Sequence, residues 1–217
     1  MRITDNSFAG GPWFVVLALF FAAQSLAGKF NSVIDIGDPL PAFENLPTVL
    51  GTALSSDDIK EDVVVLVSLA NSCPFSRGIE KDLIALANKF KDESVQIVAM
   101  SFNINRLDQM PAMQERAAEI GFNFAYLRDE SQKLGRALGT SVTPEFFVFD
   151  QDRKLVYMGL LHNSPAMEQE PGKSVYLRGE PKDFYVENAI ASVLAGKKVD
   201  VGETSAYGCT VEYYNGL

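Results

Sequence analysis

Between Asp62 and Ser68 the chain runs Asp-Val-Val-Val-Leu-Val-Ser, an unbroken β-branched stretch of the kind that forms a strand covered on both faces of a parallel sheet. From Pro74 to Lys91 the pattern changes period. Ile79, Leu83, Ile84, Leu86, Ala87 and Phe90 recur at helical spacing, with Glu80, Lys81, Asp82 and Lys89 between them, which predicts an amphipathic helix. Ser94–Phe102 predicts a second buried strand, Met110–Ile120 a helix stopped by Gly121, and Phe124–Leu127 a short strand. Ser131–Leu138 predicts a helix closed by Gly139. Glu145–Asp150 and Leu155–Leu160, joined by the turn Gln151-Asp152-Arg153-Lys154, read as an antiparallel hairpin, and Phe184–Leu194 as a last helix. This order gives an α/β class with a central mixed sheet, its parallel half closed by an antiparallel pair and its faces flanked by helices.

The remaining segments set the domain limits. Residues 28–61 form an extended lead-in with strand character around Phe43–Thr48 and a turn at Ser55-Ser56-Asp57-Asp58. Residues 62–195 form the one folded domain. Residues 161–181, punctuated by Pro165, Pro171, Gly172, Gly179 and Pro181, read as a loop, and 196–217 as a tail that needs anchoring to be ordered. Residues 1–27 stand apart: Arg2, an apolar block from Pro12 to Ala23, and Ser25-Leu26-Ala27 follow the order of a secretory signal peptide. An uncleaved anchor is the alternative, although a membrane span wants about 20 apolar residues. Either reading places the rest of the chain outside the cytoplasm, secreted, periplasmic or held at a membrane only through that segment. The net charge of −9, without a basic stripe, excludes a nucleic-acid partner.

The candidate chemistry lies at the first strand-to-helix junction, Asn71-Ser72-Cys73-Pro74. Reactive groups in α/β sheets gather at the carboxyl ends of the strands. Pro74 suits the first helical position, which makes Cys73 the helix cap at an exposed terminus. The helix start, aided by Arg77 one turn on, would lower the thiol pKa below its usual ~8.5. The bland reading is a small buried apolar residue.

Several spaced motifs agree around this junction: the strand and Asn-Ser-Cys-Pro, then Thr143-Pro144-Glu145, the hairpin Asp152-Arg153-Lys154-Leu155-Val156-Tyr157-Met158-Gly159, and Gly208-Cys209. Together they resemble the thioredoxin fold, and within it the peroxiredoxin-like redoxins of the alkyl hydroperoxide reductase and thiol-specific antioxidant superfamily. The resemblance spans about residues 36–212. It implies a thiol-disulfide oxidoreductase or antioxidant protein with Cys73 as nucleophile. Pro144 would be a cis-proline, with Pro74 and Thr143 beside it shaping a groove where an extended peptide pairs with the Thr143 backbone. Substrates would be protein thiols or disulfides, or hydroperoxides, with a separate thiol reductant and no cofactor.

This chain departs from the pattern at informative places. A dithiol motif would carry its second thiol three positions from Cys73, where Ala70 and Ser76 stand. Peroxidatic sites of the family carry proline seven residues and threonine or serine three residues before the cysteine. Here these are Leu66 and Ala70, which favours disulfide exchange over peroxide activation. Cys209 is the one further cysteine, and three arrangements stay open: a redox pair with Cys73, a structural bridge in a non-catalytic binding module, or two unpaired thiols. Glu145 is either a proton carrier beside the sulfur or a strand-edge carboxylate. His162, the single histidine, reads as a surface or loop residue, and Arg128 and Arg136 as solvated charges. Two distant cysteines and one histidine give no zinc spacing. A copper site would require a rearranged set of Cys73, Cys209 and His162.

Overall fold

A computed structural model describes residues 28–214; the apolar N-terminal segment read as a signal or anchor lies outside the described residues. Within them the chain runs β1 (Leu46–Pro47), β2 (Ala53–Leu54), β3 (Val63–Ser68), α1 (Pro74–Gly78), α2 (Glu80–Lys89), β4 (Val95–Ser101), α3 (Met110–Ile120), β5 (Ala125–Arg128) and α4 (Lys133–Ala137). It continues through β6 (Val142–Thr143), β7 (Glu145–Phe149), β8 (Leu155–Gly159), β9 (Ala166–Glu170), β10 (Lys173–Tyr176), α5 (Tyr185–Leu194) and β11 (Cys209–Thr210).

The central sheet has the order β5-β4-β3-β7-β8. β3 pairs parallel with β4 and antiparallel with β7, so the Val-rich run lies in the middle. Every residue of β3 is buried, and the pleat sends alternate side chains to opposite layers. Val63, Val65 and Val67 pack with Leu83 of α2, Met113 of α3 and Ile190 of α5. Val64 and Leu66 face Leu134 of α4, Phe147, Phe149 and the lead-in residues Ile34 and Phe43. The fold is a thioredoxin-like α/β sandwich, and the β3–α1 junction falls at the carboxyl end of its central strand.

The helix expected from Pro74 to Lys91 is interrupted at Ile79, which leaves helical geometry at φ −103°, ψ 1° and separates α1 from α2. The interruption accompanies a backbone-to-backbone contact. A Cβ on Gly78 would stand 2.6 Å from the carbonyl carbon and oxygen of Ala166, so α1 lies directly on β9. Gly78→Ala is therefore expected to force α1 off β9 and lower stability by about 1–3 kcal/mol, read as a shift in the denaturant midpoint.

The segment 161–181 is not a simple loop. It contains the hairpin β9–β10, joined through Glu170-Pro171-Gly172-Lys173 with Gly172 at φ +75°. Its strands carry Glu168, Gln169, Glu170, Lys173 and Ser174, and only Ala166 among β9 and β10 is fully buried, so the period-2 apolar signal of a strand is missing. The tail is tied down on both sides of Cys209. Met158 N–H donates to the Gly202 carbonyl and Thr204 N–H to the Met158 carbonyl, each at 3.0 Å. Beyond Cys209, Gln132 Nε2 donates to the Glu212 carbonyl (2.9 Å) and Tyr214 N–H to Gln132 Oε1 (2.7 Å).

Candidate active site

The loop between β3 and α1 is pinned before it reaches the cysteine. Asp108, fully buried, accepts from Ser72 N–H at 3.1 Å and from Ser72 Oγ at 2.6 Å. Asn71 Nδ2 donates to the Ala112 carbonyl at 3.1 Å, and Tyr126 Oη donates to Asn71 Oδ1 at 3.3 Å. Cys73 follows as the cap of α1 with Pro74 at the first helical position, in extended geometry at φ −95°, ψ 117°. Its side chain makes no capping bond to the helix N–H groups.

Cys73 forms a disulfide with Cys209, with Cα atoms 5.9 Å apart across 136 residues of sequence. Cys73 Sγ also lies 3.1 Å from the Thr143 carbonyl oxygen. The Thr143-Pro144 peptide bond is cis. β6 leads into it, and the tail strand β11 pairs antiparallel with β6 so that Cys209 faces Thr143 and Thr210 faces Val142. Thus Cys73, Thr143, Pro144 and Cys209, far apart in sequence, meet at one point.

Cys73 is only 1% exposed, which corrects the expectation of an exposed helix terminus. The physical reason is the tail: β11 lies over the sulfur, and Tyr207 sets its ring edge-on to Phe75 with centroids 5.2 Å apart. Gly208 makes this approach possible. A Cβ there would stand 2.0 Å from the Thr143 carbonyl oxygen, far inside van der Waals contact.

The loop carrying Pro144 is held from below. Ser68 Oγ, at the end of β3, donates to the Val142 carbonyl (3.0 Å) and accepts from Glu145 N–H (2.9 Å). Glu145 is buried, and its carboxylate accepts from Ser141 N–H at 3.2 Å. Burial pushes this carboxyl up to about 7, against the downward pull of hydrogen bonds from the Ser141 and Val142 backbone. Its hydrogen bonds tie it to the turn before Pro144.

Arg77 does not stand free beside the sulfur. Its Nε is paired with Glu168 of β9, and its Nη1 donates to the Asn71 carbonyl at 2.7 Å. Arg116 of α3 joins the same cluster, 2.5 Å from Glu80 and 3.7 Å from Glu168. Burial pushes the Glu80 carboxyl up, partly offset by Arg116. The Arg77 charge is thus neutralised locally and acts as a brace between α1, β9 and the loop. Ser76, where a dithiol motif would carry its second sulfur, is buried, and its Oγ accepts from Ala70 N–H at 3.1 Å.

Three charged or titratable residues are less exposed than expected. His162 is buried, not on the surface, with Nε2 3.2 Å from Asp82 Oδ2, while Tyr176 Oη donates to both oxygens of Asp82 at 2.9 and 3.0 Å. After β8 the chain turns inward, so this residue lies against Tyr176 and Phe184. Arg128 is buried as well, its Nη1 donating to the Ser101 carbonyl at 3.1 Å, and Arg136 lies over the Tyr213 ring at 4.5 Å. Asp108, Phe75, Tyr207 and Glu168 are site residues that sequence reading passes over, since none sits in a recognisable motif. Gly208 does have a signal, its place directly before the only other cysteine. Among the described residues, no group of three or more His, Cys, Asp or Glu side chains is placed to hold a metal ion.

The AhpC/TSA family profile matches residues 36–158 of the chain. An uncharacterized conserved protein from Geobacillus kaustophilus is 28% identical and superimposes with a TM-score of 0.76, covering 86% of this chain and 96% of that one. A hypothetical protein from Sinorhizobium meliloti is 25% identical, with a TM-score of 0.74 and coverage of 86% and 98%. A putative thiol:disulfide interchange protein DsbE from Chlorobium tepidum is 20% identical, with a TM-score of 0.56 and coverage of 74% and 99%, and shares the fold. Comparison with curated protein sequences gives no match.

Proposed function

The chain belongs to the AhpC/TSA family, and from that premise we propose that it is a thiol-disulfide oxidoreductase working outside the cytoplasm, with Cys73 as nucleophile and Cys209 as resolving thiol. The observation that carries this reading is the disulfide between a helix-cap cysteine and a tail cysteine seated opposite Thr143, beside Pro144. In the reduced protein the Cys73 thiolate attacks one sulfur of a substrate disulfide. That S–S bond breaks, and the departing sulfur leaves as a thiolate that takes a proton from solvent. The Cys209 thiolate then attacks Cys73 Sγ, forming the intramolecular disulfide and releasing the second substrate thiolate. The substrate is reduced by two electrons and the protein is oxidised by two; a dithiol reductant reverses the change. With a dithiol substrate the same steps run backward from the oxidised form.

Hydroperoxides are the lesser substrate class. Attack by Cys73 would give a sulfenic acid and an alcohol or water, and Cys209 would condense with it to the same disulfide with loss of water. Ala70, at the position where a peroxidatic site carries a hydroxyl, is buried and offers only a methyl group. Pro74, Thr143 and Pro144 shape the groove, while Arg77 and Glu145 support it. The apolar start of the chain supports export, as does a disulfide, which persists in oxidising compartments. The folded unit of this proposal is residues 62–195, completed by the lead-in and by the tail that carries Cys209.

Titration of the full chain against a thiol–disulfide buffer tests the reading. A potential at about −270 mV or more oxidising supports turnover, whereas one well below about −300 mV would make the bridge structural and the protein a binding module. Cys73→Ser is expected to abolish disulfide reduction. Unchanged exchange in that variant would remove Cys73 from the mechanism.

A further inference from the structure

The tail segment 207–211 occupies the groove as an extended strand, and we infer from this that it is a built-in copy of the substrate. The groove would then select a peptide cysteine preceded directly by glycine, with an aromatic residue one position earlier and a β-branched apolar residue two positions after. This rests on the proposal that Cys73 exchanges with substrate disulfides, and it specifies which ones.

Each position of the preference is set by a contact of the tail. The Tyr207 ring packs on Phe75 and covers an apolar hollow lined by Pro144, Leu161 and His162, with only about 10 Å³ left free. Gly208 crosses the Thr143 carbonyl so closely that a Cβ would meet its oxygen at 2.0 Å, and the same oxygen would meet any side chain a peptide placed there. Cys209 pairs opposite Thr143 and bonds to Cys73. Thr210 is exposed and places no demand on its side chain. Val211 is buried in the second core layer, and its N–H donates to the Ser141 carbonyl at 3.0 Å. Backbone pairing supplies affinity and alternate side-chain pockets supply selectivity, as in other strand-addition sites.

The tail has anchors on both sides of this stretch, at Gly202 to Thr204 against Met158 and at Glu212 and Tyr214 against Gln132. Between them the strap is held by the disulfide, the short β11–β6 pairing, the Tyr207 ring and Val211. Reduction breaks the covalent bond, and a matching strand then competes with a tethered copy of itself.

Two full-length variants test this. Cys209→Ser keeps the strap seated without its bond. Gly208→Ala/Cys209→Ser adds the Cβ that the Thr143 carbonyl excludes, and is expected to expel the strap without replacing any groove residue. The probes are the blocked pentapeptides Tyr-Gly-Cys-Thr-Val, Tyr-Ala-Cys-Thr-Val and Ala-Gly-Cys-Thr-Val, each with its cysteine as a mixed disulfide with thionitrobenzoate. The Cys73 thiolate attacks the peptide sulfur, its S–S bond breaks, and coloured thionitrobenzoate leaves with the electron pair. With the double variant the first peptide is expected to react about tenfold or more faster than either of the others, a difference worth one decade of recognition. The same order is expected at lower rates with Cys209→Ser, which serves if the double variant does not fold. Equal rates for the three peptides, abolished by an added Cys73→Ser, would overturn the selectivity and leave the nucleophile in place. No release above the uncatalysed rate from any peptide would overturn both.

Discussion

Cys209→Ser is expected to lower the unfolding free energy of the oxidised protein by about 5 kcal/mol, because it opens a covalent loop of 136 residues. In the chain-entropy description the bridge acts on the unfolded ensemble, and a loop of this length lies near the upper end of what one disulfide contributes. Urea unfolding of the variant, and of the wild-type chain with and without a reducing agent, measures it. The reduced wild type and the oxygen-for-sulfur variant should fall together. If both unfold at the midpoint of the oxidised protein, the bridge contributes nothing and the tail is held by its other attachments alone. Those attachments are expected to keep 202–204 and 212–214 docked after reduction. Tyr213 stacks on Phe102 and donates to the Thr140 carbonyl at 2.7 Å, contacts that do not involve sulfur. Cys209 then stays close to Cys73 as a thiol, and this proximity favours rapid resolution of a mixed disulfide on Cys73.

Glu145→Gln is expected to stabilise the protein by about 3 kcal/mol at pH 8 and to leave it nearly unchanged below pH 4.5. The carboxyl ionises near 4.5 when the chain is unfolded and at about 7 in the folded site, raised by burial. The folded state therefore holds its proton more tightly. Between pH 4.5 and 7 the unfolded chain loses the proton first, so wild-type stability falls as pH rises through that window and levels off above it. Glutamine never ionises and can still accept from Ser141 N–H through its amide oxygen, so its stability should lack this slope. Denaturation midpoints of the two proteins at a series of pH values isolate the effect, since every other group is common to both. Parallel curves would mean that Glu145 ionises normally in the fold. The same experiment bears on the site, because Glu145 holds the turn that presents Thr143. If the charged form loosens that turn, the disulfide-exchange rate of the wild type should change through pH 7 and that of the variant should not.

The legible parts of the chain are those in which one residue type repeats for a local reason. Val63 to Val67 must lie between two apolar layers, since no arrangement with one solvated face tolerates five consecutive apolar side chains. Leu83 and Leu86 mark the buried stripe of α2 by their spacing alone. Pro74 fixes the start of α1 because its missing N–H costs nothing there, and this places Cys73 at the strand end. The hairpin β7–β8 shows in its turn residues. Where local pattern and packing disagree, packing wins. The hairpin β9–β10 has polar strands because only Ala166 among its residues is fully buried, and Gly78 lets the backbones of α1 and β9 touch there. His162 and Arg128 are buried for the same kind of reason, each finding a partner on an element distant in sequence, Asp82 for one and the Ser101 carbonyl for the other.

For the site itself, the chain by itself determined the α/β architecture, the position of Cys73 at the end of the central strand, and the Thr-Pro-Glu and Gly-Cys segments as the places to look. Whether the two cysteines meet was decided by tertiary structure. A pairing across 136 residues has no local signature. It depends on how the tail is anchored at Met158 and Gln132, on the antiparallel register that sets Cys209 opposite Thr143, and on a glycine small enough to pass the Thr143 carbonyl. These are long-range steric and hydrogen-bonding conditions, satisfied only once the sheet, the cis-proline turn and the tail are in place together.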